Sequence, residues 1–369
     1  KPSGAPDPVF SAPNGNHTEV FGLNVGTYEF SYTTNNGVCG DVNSNIVNII
    51  IRELPTPSAA GVSKTTCYNV NVALAAQAVT VGTGKWTVTG MPAGAISTSY
   101  TFSNDASNTS NFSATVAGVY TLTWTTSNGA CTSESTTQVT VQPALAGNQI
   151  GTLPSQTCSG TNIGTITNSA LASGGPGTGY TYQWQRSTDN ITWNNISGAT
   201  ATTYAPGTLN NTTTADITYY YRRLASAGTC TVLESNVVSV LVRPTIKGNT
   251  ITTPIASICF EGTPGELKSG QVTGGDNTYT YQWQVSVDGG TYNNVAANGT
   301  GNSGTEAAYT PASITNNGNT ALVYSYRRRV TSDGCTHTSN VITFTIYPKP
   351  RLTSSTTATV CSNSLFSYT

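Results

Sequence analysis

Large apolar residues stand at alternate positions in four short runs along this chain, and each run leads to a cysteine. The runs are Thr27-Tyr-Glu-Phe-Ser-Tyr, Val119-Tyr-Thr-Leu-Thr-Trp, Thr218-Tyr-Tyr-Tyr-Arg-Arg and Val323-Tyr-Ser-Tyr-Arg-Arg, leading to Cys39, Cys131, Cys230 and Cys335. In each run a tyrosine (Tyr28, Tyr120, Tyr219 or Tyr324) is followed two residues on by Phe30, Leu122, Tyr221 or Tyr326. A period of two places these groups on one face of a β-strand. A glycine just before each cysteine (Gly37, Gly129, Gly228, Gly334) then predicts a hairpin turn. A second alternating strand follows, with Ile46–Ile51, Val139–Val141, Val237–Val242 and Val341–Ile346 as its apolar content.

The hairpin therefore repeats, and each copy closes at proline: Leu54-Pro-Thr-Pro57, Gln142-Pro143, Arg243-Pro244 and Tyr347-Pro-Lys-Pro350. Proline has no amide hydrogen and cannot extend a sheet ladder, so these junctions mark module boundaries. The expected organisation is a partial module at 1–55, complete ones at 56–143, 144–244 and 245–349, and the opening strands of another at 350–369. The junctions are short and lack Gly/Ser tracts, so a semi-rigid linear rod is expected. The third and fourth modules share Tyr180-Thr-Tyr-Gln-Trp-Gln185 and Tyr279-Thr-Tyr-Gln-Trp-Gln284, and Lys85-Trp-Thr-Val is the equivalent strand of the second. A Cys, Trp, Cys order is that of an immunoglobulin-like sandwich, where the indole packs against an inter-sheet disulfide. The fold class is all-β, as tandem sandwiches.

Eight cysteines allow 105 pairings. A second cysteine series (Cys67, Cys158, Cys259, Cys361) opens the modules, and pairing within modules gives Cys67–Cys131, Cys158–Cys230 and Cys259–Cys335 over three similar lengths of chain. This is the favoured set. Cys39 and Cys361 are left over and are expected to pair outside this window on a longer array; a bond between the two is the alternative. Zinc is a poor rival, since there is no Cys-x-x-Cys and only two histidines. Disulfides imply an oxidising, extracytoplasmic compartment.

Composition narrows the picture further. Charged residues make up 8% of the chain and balance to −1, leaving no electrostatic footprint for nucleic acid. A hydrophobic share of 37%, with five Trp and 19 Tyr in alternating runs, argues against disorder. No apolar run is long enough for a membrane helix, so no membrane insertion is expected in this segment.

Tyr-Gln-Trp-Gln followed by Ser187-Thr-Asp-Asn-Ile-Thr-Trp193, then Tyr220-Tyr-Arg-Arg223 and Ser235-Asn-Val-Val238, resembles the immunoglobulin-like repeats of large surface proteins of Bacteroidetes. Thr65–Gln142 and the tail Val360–Thr369 resemble the PKD-like repeats of the same proteins. The resemblance covers essentially the whole chain but does not single out one protein. It implies export by the type IX system, display at an outer-membrane-attached cell surface, and a role as an extended adhesin or filament, with gliding-motility adhesins of the SprB kind among the candidates.

No catalytic constellation emerges. His17 and His337 belong to no recognisable triad, and the acids Asp189, Asp276, Asp288 and Asp333 are single and sit in turns. No catalytic, cofactor or metal site is expected, and no enzyme. The charge clusters are Arg222-Arg223 and Arg327-Arg328-Arg329. Strand neighbours point to opposite faces, so one arginine of each pair should stack on an aromatic ring and the other should be solvated. Trp193, Arg222 and Arg327 are the candidate surface contacts, for an acidic glycan or other surface polysaccharide or for a neighbouring chain in a filament; the other expected partners are adjacent repeats of the same chain. Sequons at Asn108, Asn111, Asn190, Asn195 and Asn298 are what an Asn/Thr-rich chain yields by chance.

Overall fold

The computed structural model describes all residues except 297–302, 352–358, 360, 364 and 366–369. Asn298 and most of the tail expected to open a further module therefore lie outside the described residues. Among the described residues every regular element is a strand. The strands that matter here are β1 (Gly26–Phe30), β2 (Val47–Ile51), β3 (Lys64–Cys67), β4 (Thr83–Gly90), β5 (Gly118–Asn128) and β6 (Cys131–Gln142). They continue as β7 (Gln156–Cys158), β8 (Thr181–Ser187), β9 (Ile217–Ser226) and β10 (Val238–Arg243). The last are β11 (Ser257–Ile258), β12 (Thr280–Val287), β13 (Leu322–Ser332), β14 (Cys335–Thr338) and β15 (Ile342–Ile346).

The predicted hairpins form. Strand β5 runs antiparallel to β6 from Gly118↔Val141 to Asn128↔Cys131, and β13 pairs with β14 around Ser332↔Cys335. Asp333 and Gly334, the two residues between, both have positive φ (44° and 81°), which a two-residue turn twisted to match the strands requires. The alternating face is the buried one: Tyr28, Tyr120, Leu122, Tyr221 and Tyr326 are all buried.

One sheet is built the same way three times. Its order is β3-β6-β5-β4, then β7-β10-β9-β8, then β11-β15-β13-β12. Lys85-Trp-Thr-Val does lie on the strand equivalent to Tyr-Gln-Trp-Gln, since β4 and β12 take the same place beside the long hairpin strand. The opening strand of each sheet pairs in parallel with the closing strand, through Cys67↔Gln142, Cys158↔Arg243 and Ile258↔Ile346. Shorter strands form the facing sheets, including Val72–Ala73, Tyr100–Phe102 and Asn111–Ala114 in the second module.

Aromatic rings fill the cores. Trp86 and Trp124 meet at 5.1 Å between ring centroids in the second module. A Cβ on Gly84 would come within 2.2 Å of the Trp124 ring, so that strand position must be glycine. In the third, Trp184 packs on Tyr204 and Tyr204 on Tyr221; in the fourth, Trp283 packs on Tyr309 and Tyr309 on Tyr326. No disulfide reaches these clusters. The expectation that the indole packs against an inter-sheet disulfide is thus corrected: the sulfurs sit elsewhere, and the ring beside the indole is Tyr204 for Trp184, Tyr309 for Trp283 and Trp124 for Trp86.

By contact the chain forms two compact units, one of residues 1–149, 169–183 and 223–236, the other of residues 150–168, 184–222 and 237–369. These units do not follow the proline boundaries, because one end of the third module groups with the second module.

Trp283→Ala should cost about 3–5 kcal/mol by leaving a large cavity against Tyr309. Equilibrium urea unfolding followed by intrinsic fluorescence measures this loss.

Candidate functional site: stapled junctions and two arginine clamps

Where the closing strand of a module ends, the chain turns directly into the next one. Parallel pairing sets each opening cysteine at that end, Cys67 level with Gln142 and Cys158 level with Arg243. The hairpin cysteine is at the opposite end. Cys131 starts β6, and Gln142 lies eleven residue steps further along it, about 36 Å at the usual rise. A disulfide tolerates a Cα separation of only about 7 Å. Pairing within a module is therefore geometrically closed.

The disulfides instead join Cys67 to Cys230 and Cys158 to Cys335, with Cα separations of 4.9 and 5.5 Å. This corrects the expected set. Each bond links the opening strand of one module to the hairpin of the next. Cys131 and Cys259, expected to be paired, are free thiols, as are Cys39 and Cys361.

Each staple has its own small apolar cluster. Within the first unit Cys67 and Cys230 pack with Leu145 and Ala227, flanked by Val70, Tyr180 and Leu233. Gly175 (φ +55°) approaches so closely that a Cβ there would lie 2.9 Å from Leu145 and 3.1 Å from the Cys230 sulfur. Within the second unit Cys335 and Cys158 pack with Ile246, Val330, Val272, Tyr279 and Tyr281. Among the described residues an ion pair reinforces the second staple and not the first: Arg243, at the end of β10, donates to Asp216 at 2.7 Å from Nη1 and to Asp333 at 3.0 Å from Nε. Asp333 is in the turn beside Cys335, and hydrogen bonds from Gln156 and Arg243 hold its carboxyl below the ordinary aspartate pKa. The first junction has Gln142 where the second has Arg243.

The hairpin of the second module meets the preceding chain in a related way, with Asn128 Nδ2 donating to the Glu53 carbonyl at 2.9 Å.

The arginine pairs behave differently from expectation. One member of each is stacked: Arg222 lies over Trp193 at 4.4 Å and Arg327 over Tyr292 at 3.9 Å. Their Nε groups donate to Gln185 and Gln284 at 2.7 and 2.8 Å, and those glutamines donate in turn to Asn195 and Asn294. The candidate surface contacts Trp193 and Arg222 are thus together, but one face of the indole is covered by the guanidinium. Arg327 has Tyr292 as its ring, a residue sequence reasoning did not single out.

The other member, Arg223 or Arg328, is not solvated but wholly buried. An asparagine clamps each one reciprocally. Arg223 Nε donates to Asn148 Oδ1 at 2.8 Å while Asn148 Nδ2 donates to the Arg223 carbonyl at 3.0 Å. Arg328 and Asn249 repeat this at 3.0 and 3.2 Å. Backbone carbonyls of Ala170 and Ala307 accept from the guanidinium tips, and Tyr182 and Tyr281 lie against their faces. Burial lowers both guanidinium pKa values, with the tyrosines opposing. The recurring dipeptides Gly147-Asn148 and Gly248-Asn249 are the sequence trace of this clamp.

His17 is exposed, and His337 lies exposed on β14 with its carbonyl accepting from Asn249 Nδ2. Among the described residues no three His, Cys, Asp or Glu converge on a common point for a metal, and no helix is long and apolar enough to cross a membrane.

Asn249→Ala strips the buried Arg328 of its Nε acceptor and should destabilise by about 3 kcal/mol, measured by denaturant unfolding. Asp333 contributes stability above the ordinary aspartate pKa, near 3.9, and that contribution fades as pH falls through its lowered value. An NMR titration of the carboxyl carbon should give a midpoint below 3.9 that moves up towards it in Arg243→Ala.

No curated protein matches the sequence. Among solved structures, a three-domain titin fragment (I67–I69, an E-to-A variant) is 14% identical with a TM-score of 0.41, over 81% of this chain and all of that one. Extracellular domains 3–5 of Drosophila OTK are 15% identical with a TM-score of 0.29, over 80% of this chain and 97% of that one. The three N-terminal domains of the bacteriophage RB49 outer capsid protein Hoc are 13% identical with a TM-score of 0.31, over 77% and 95%. None superposes closely, and the sandwich assignment rests on the sheets described above. A family model, described as a domain of unknown function (DUF8696), matches twice, over residues 149–244 and 247–348, which together exceed half of the chain: the chain belongs to that family.

Proposed function

We propose that this chain is a non-catalytic stalk segment of a large extracellular surface protein, whose junctions are locked by disulfides that cross from one module to the next. The cross-junction pairing of Cys67 with Cys230 and Cys158 with Cys335 carries the reading. A bond that closes a single module adds to that module's stability. A bond between modules adds little to either core and restrains how one moves on the other. Such bonds form in an oxidising compartment, which supports an extracellular location. In this reading the module boundaries lie at the proline-bearing junctions, after residues 55, 143, 244 and 349. The resemblance to Bacteroidetes surface repeats extends the reading to an adhesin stalk delivered by type IX secretion, with gliding motility as one setting.

A second reading, polysaccharide binding, draws on the aromatic-arginine-amide ladder that recurs as Trp193/Arg222/Gln185 and Tyr292/Arg327/Gln284. Half-exposed rings with adjacent amides are chemically suited to sugars. Binding on a glycan array that disappears in Trp193→Ala would favour it over the stalk.

The stalk reading is tested by small-angle X-ray scattering of the full chain. The oxidised protein should scatter as an elongated particle with a narrow pair-distance distribution. A variant with Cys67, Cys158, Cys230 and Cys335 all changed to serine should keep its strand circular dichroism and broaden that distribution. A compact oxidised particle would sink the proposal.

A further inference from the structure

The two disulfides overlap along the chain. Cys67–Cys230 and Cys158–Cys335 span 163 and 177 residues, and the second bond begins before the first has closed. The bonded sulfurs thus define two nodes, one holding residues 67 and 230, the other 158 and 335. Three lengths of backbone connect these nodes: 67–158, 158–230 and 230–335. Cutting one leaves two. Had the cysteines paired within modules, a single cut in either stretch between modules would have divided the protein.

We infer that the overlapping staples make this segment a cut-tolerant cable: between Cys67 and Cys335 no single backbone cleavage, and no pair of cleavages, separates its ends. Only breaks in all three lengths do so. Exposed loops are where proteases act, and this protein has one in each length: Thr152–Ser155, Ser197–Gly198 and Gly289–Gly290 are largely exposed loop or turn residues. A surface segment facing proteases would therefore keep its outer part attached after nicking.

The same topology changes how load is carried. The shortest covalent route from Cys67 to Cys335 crosses to Cys230, runs backwards along the chain to Cys158, and crosses again. The 158–230 length bears the tension. At full extension it would reach about 250 Å, against roughly four times that for an unbridged chain from Cys67 to Cys335. The inference rests on the connectivity of the two bonds and not on the stalk reading; a chain that scatters as a compact particle could still be cut-tolerant.

The experiment uses the full chain with different affinity tags at its two ends. A site-specific protease sequence is inserted at Pro154–Ser155, at Thr253–Pro254, or at both these places and Ser197–Gly198. After complete cleavage, capture of the N-terminal tag in denaturant and without reductant should retain the C-terminal tag for each single cut. The triple cut should lose it, as should every cut after reduction. In a background carrying Cys67→Ser and Cys230→Ser, the Pro154–Ser155 cut should release the C-terminal tag without reductant. Release by either single cut in the otherwise native protein would overturn the inference. Non-reducing peptide mass mapping of the uncut native chain is the second measurement, free of any insertion. Cys67–Cys230 and Cys158–Cys335 peptides are expected, and a Cys67–Cys131 peptide would overturn the topology outright.

Discussion

The parallel pairing of each opening strand with the closing strand of its own module governs much else in this protein. An antiparallel opening strand would set its cysteine elsewhere along the sheet edge. The parallel ladder carries it to the closing end, beside the proline where the next module begins. The hairpin cysteine is fixed by its turn at the other end of the long strands. Once those two placements are made, the cysteine that lies near Cys67 or Cys158 is the one in the hairpin of the following module. The small apolar clusters around the sulfurs and the close approach of Gly175 follow from that meeting of ends.

With the sulfurs at the junctions, each core must hold itself together by other means. Tryptophan and tyrosine rings do part of this, in the sequence Trp184, Tyr204, Tyr221 and its counterpart Trp283, Tyr309, Tyr326. The buried arginine clamp does another part. A guanidinium without a carboxylate is costly to desolvate, and asparagine and backbone oxygens together with a tyrosine face offset part of that cost, although Arg328 Nη2 is buried without a hydrogen-bond partner. The arrangement also ties the stretch at Asn148 or Asn249 to the main chain of the long hairpin strand, so it links two parts of a module by hydrogen bonds as well as by packing.

Much of the fold was legible in the sequence. Period-two runs and glycine turns predicted strands and hairpins that the sheets display, and Lys85-Trp-Thr-Val was placed on the right strand. The cysteine pairing was not legible. Regular spacing is preserved whether a cysteine pairs inside its module or one module further on, so spacing cannot choose between the two. The choice depends on strand direction at the sheet edge, which β3, β7 and β11 are too short to reveal by pattern. Alternation also failed for the arginine pairs. It said correctly that the two side chains part company, but which face is buried depends on the asparagine waiting there.

The separation of partners by 163 and 177 residues has a further consequence, for biogenesis. During synthesis and export an opening cysteine stays unpaired until nearly the whole of the following module has emerged and formed its hairpin. Folding must run ahead of oxidation, because the aromatic core of each module is complete without any sulfur. Maturation is then vectorial, each newly formed module closing the bond left open by the one before it. Until that module has formed, Cys67 and Cys158 stay unpaired, and each has to be kept from the wrong partner until Cys230 or Cys335 arrives.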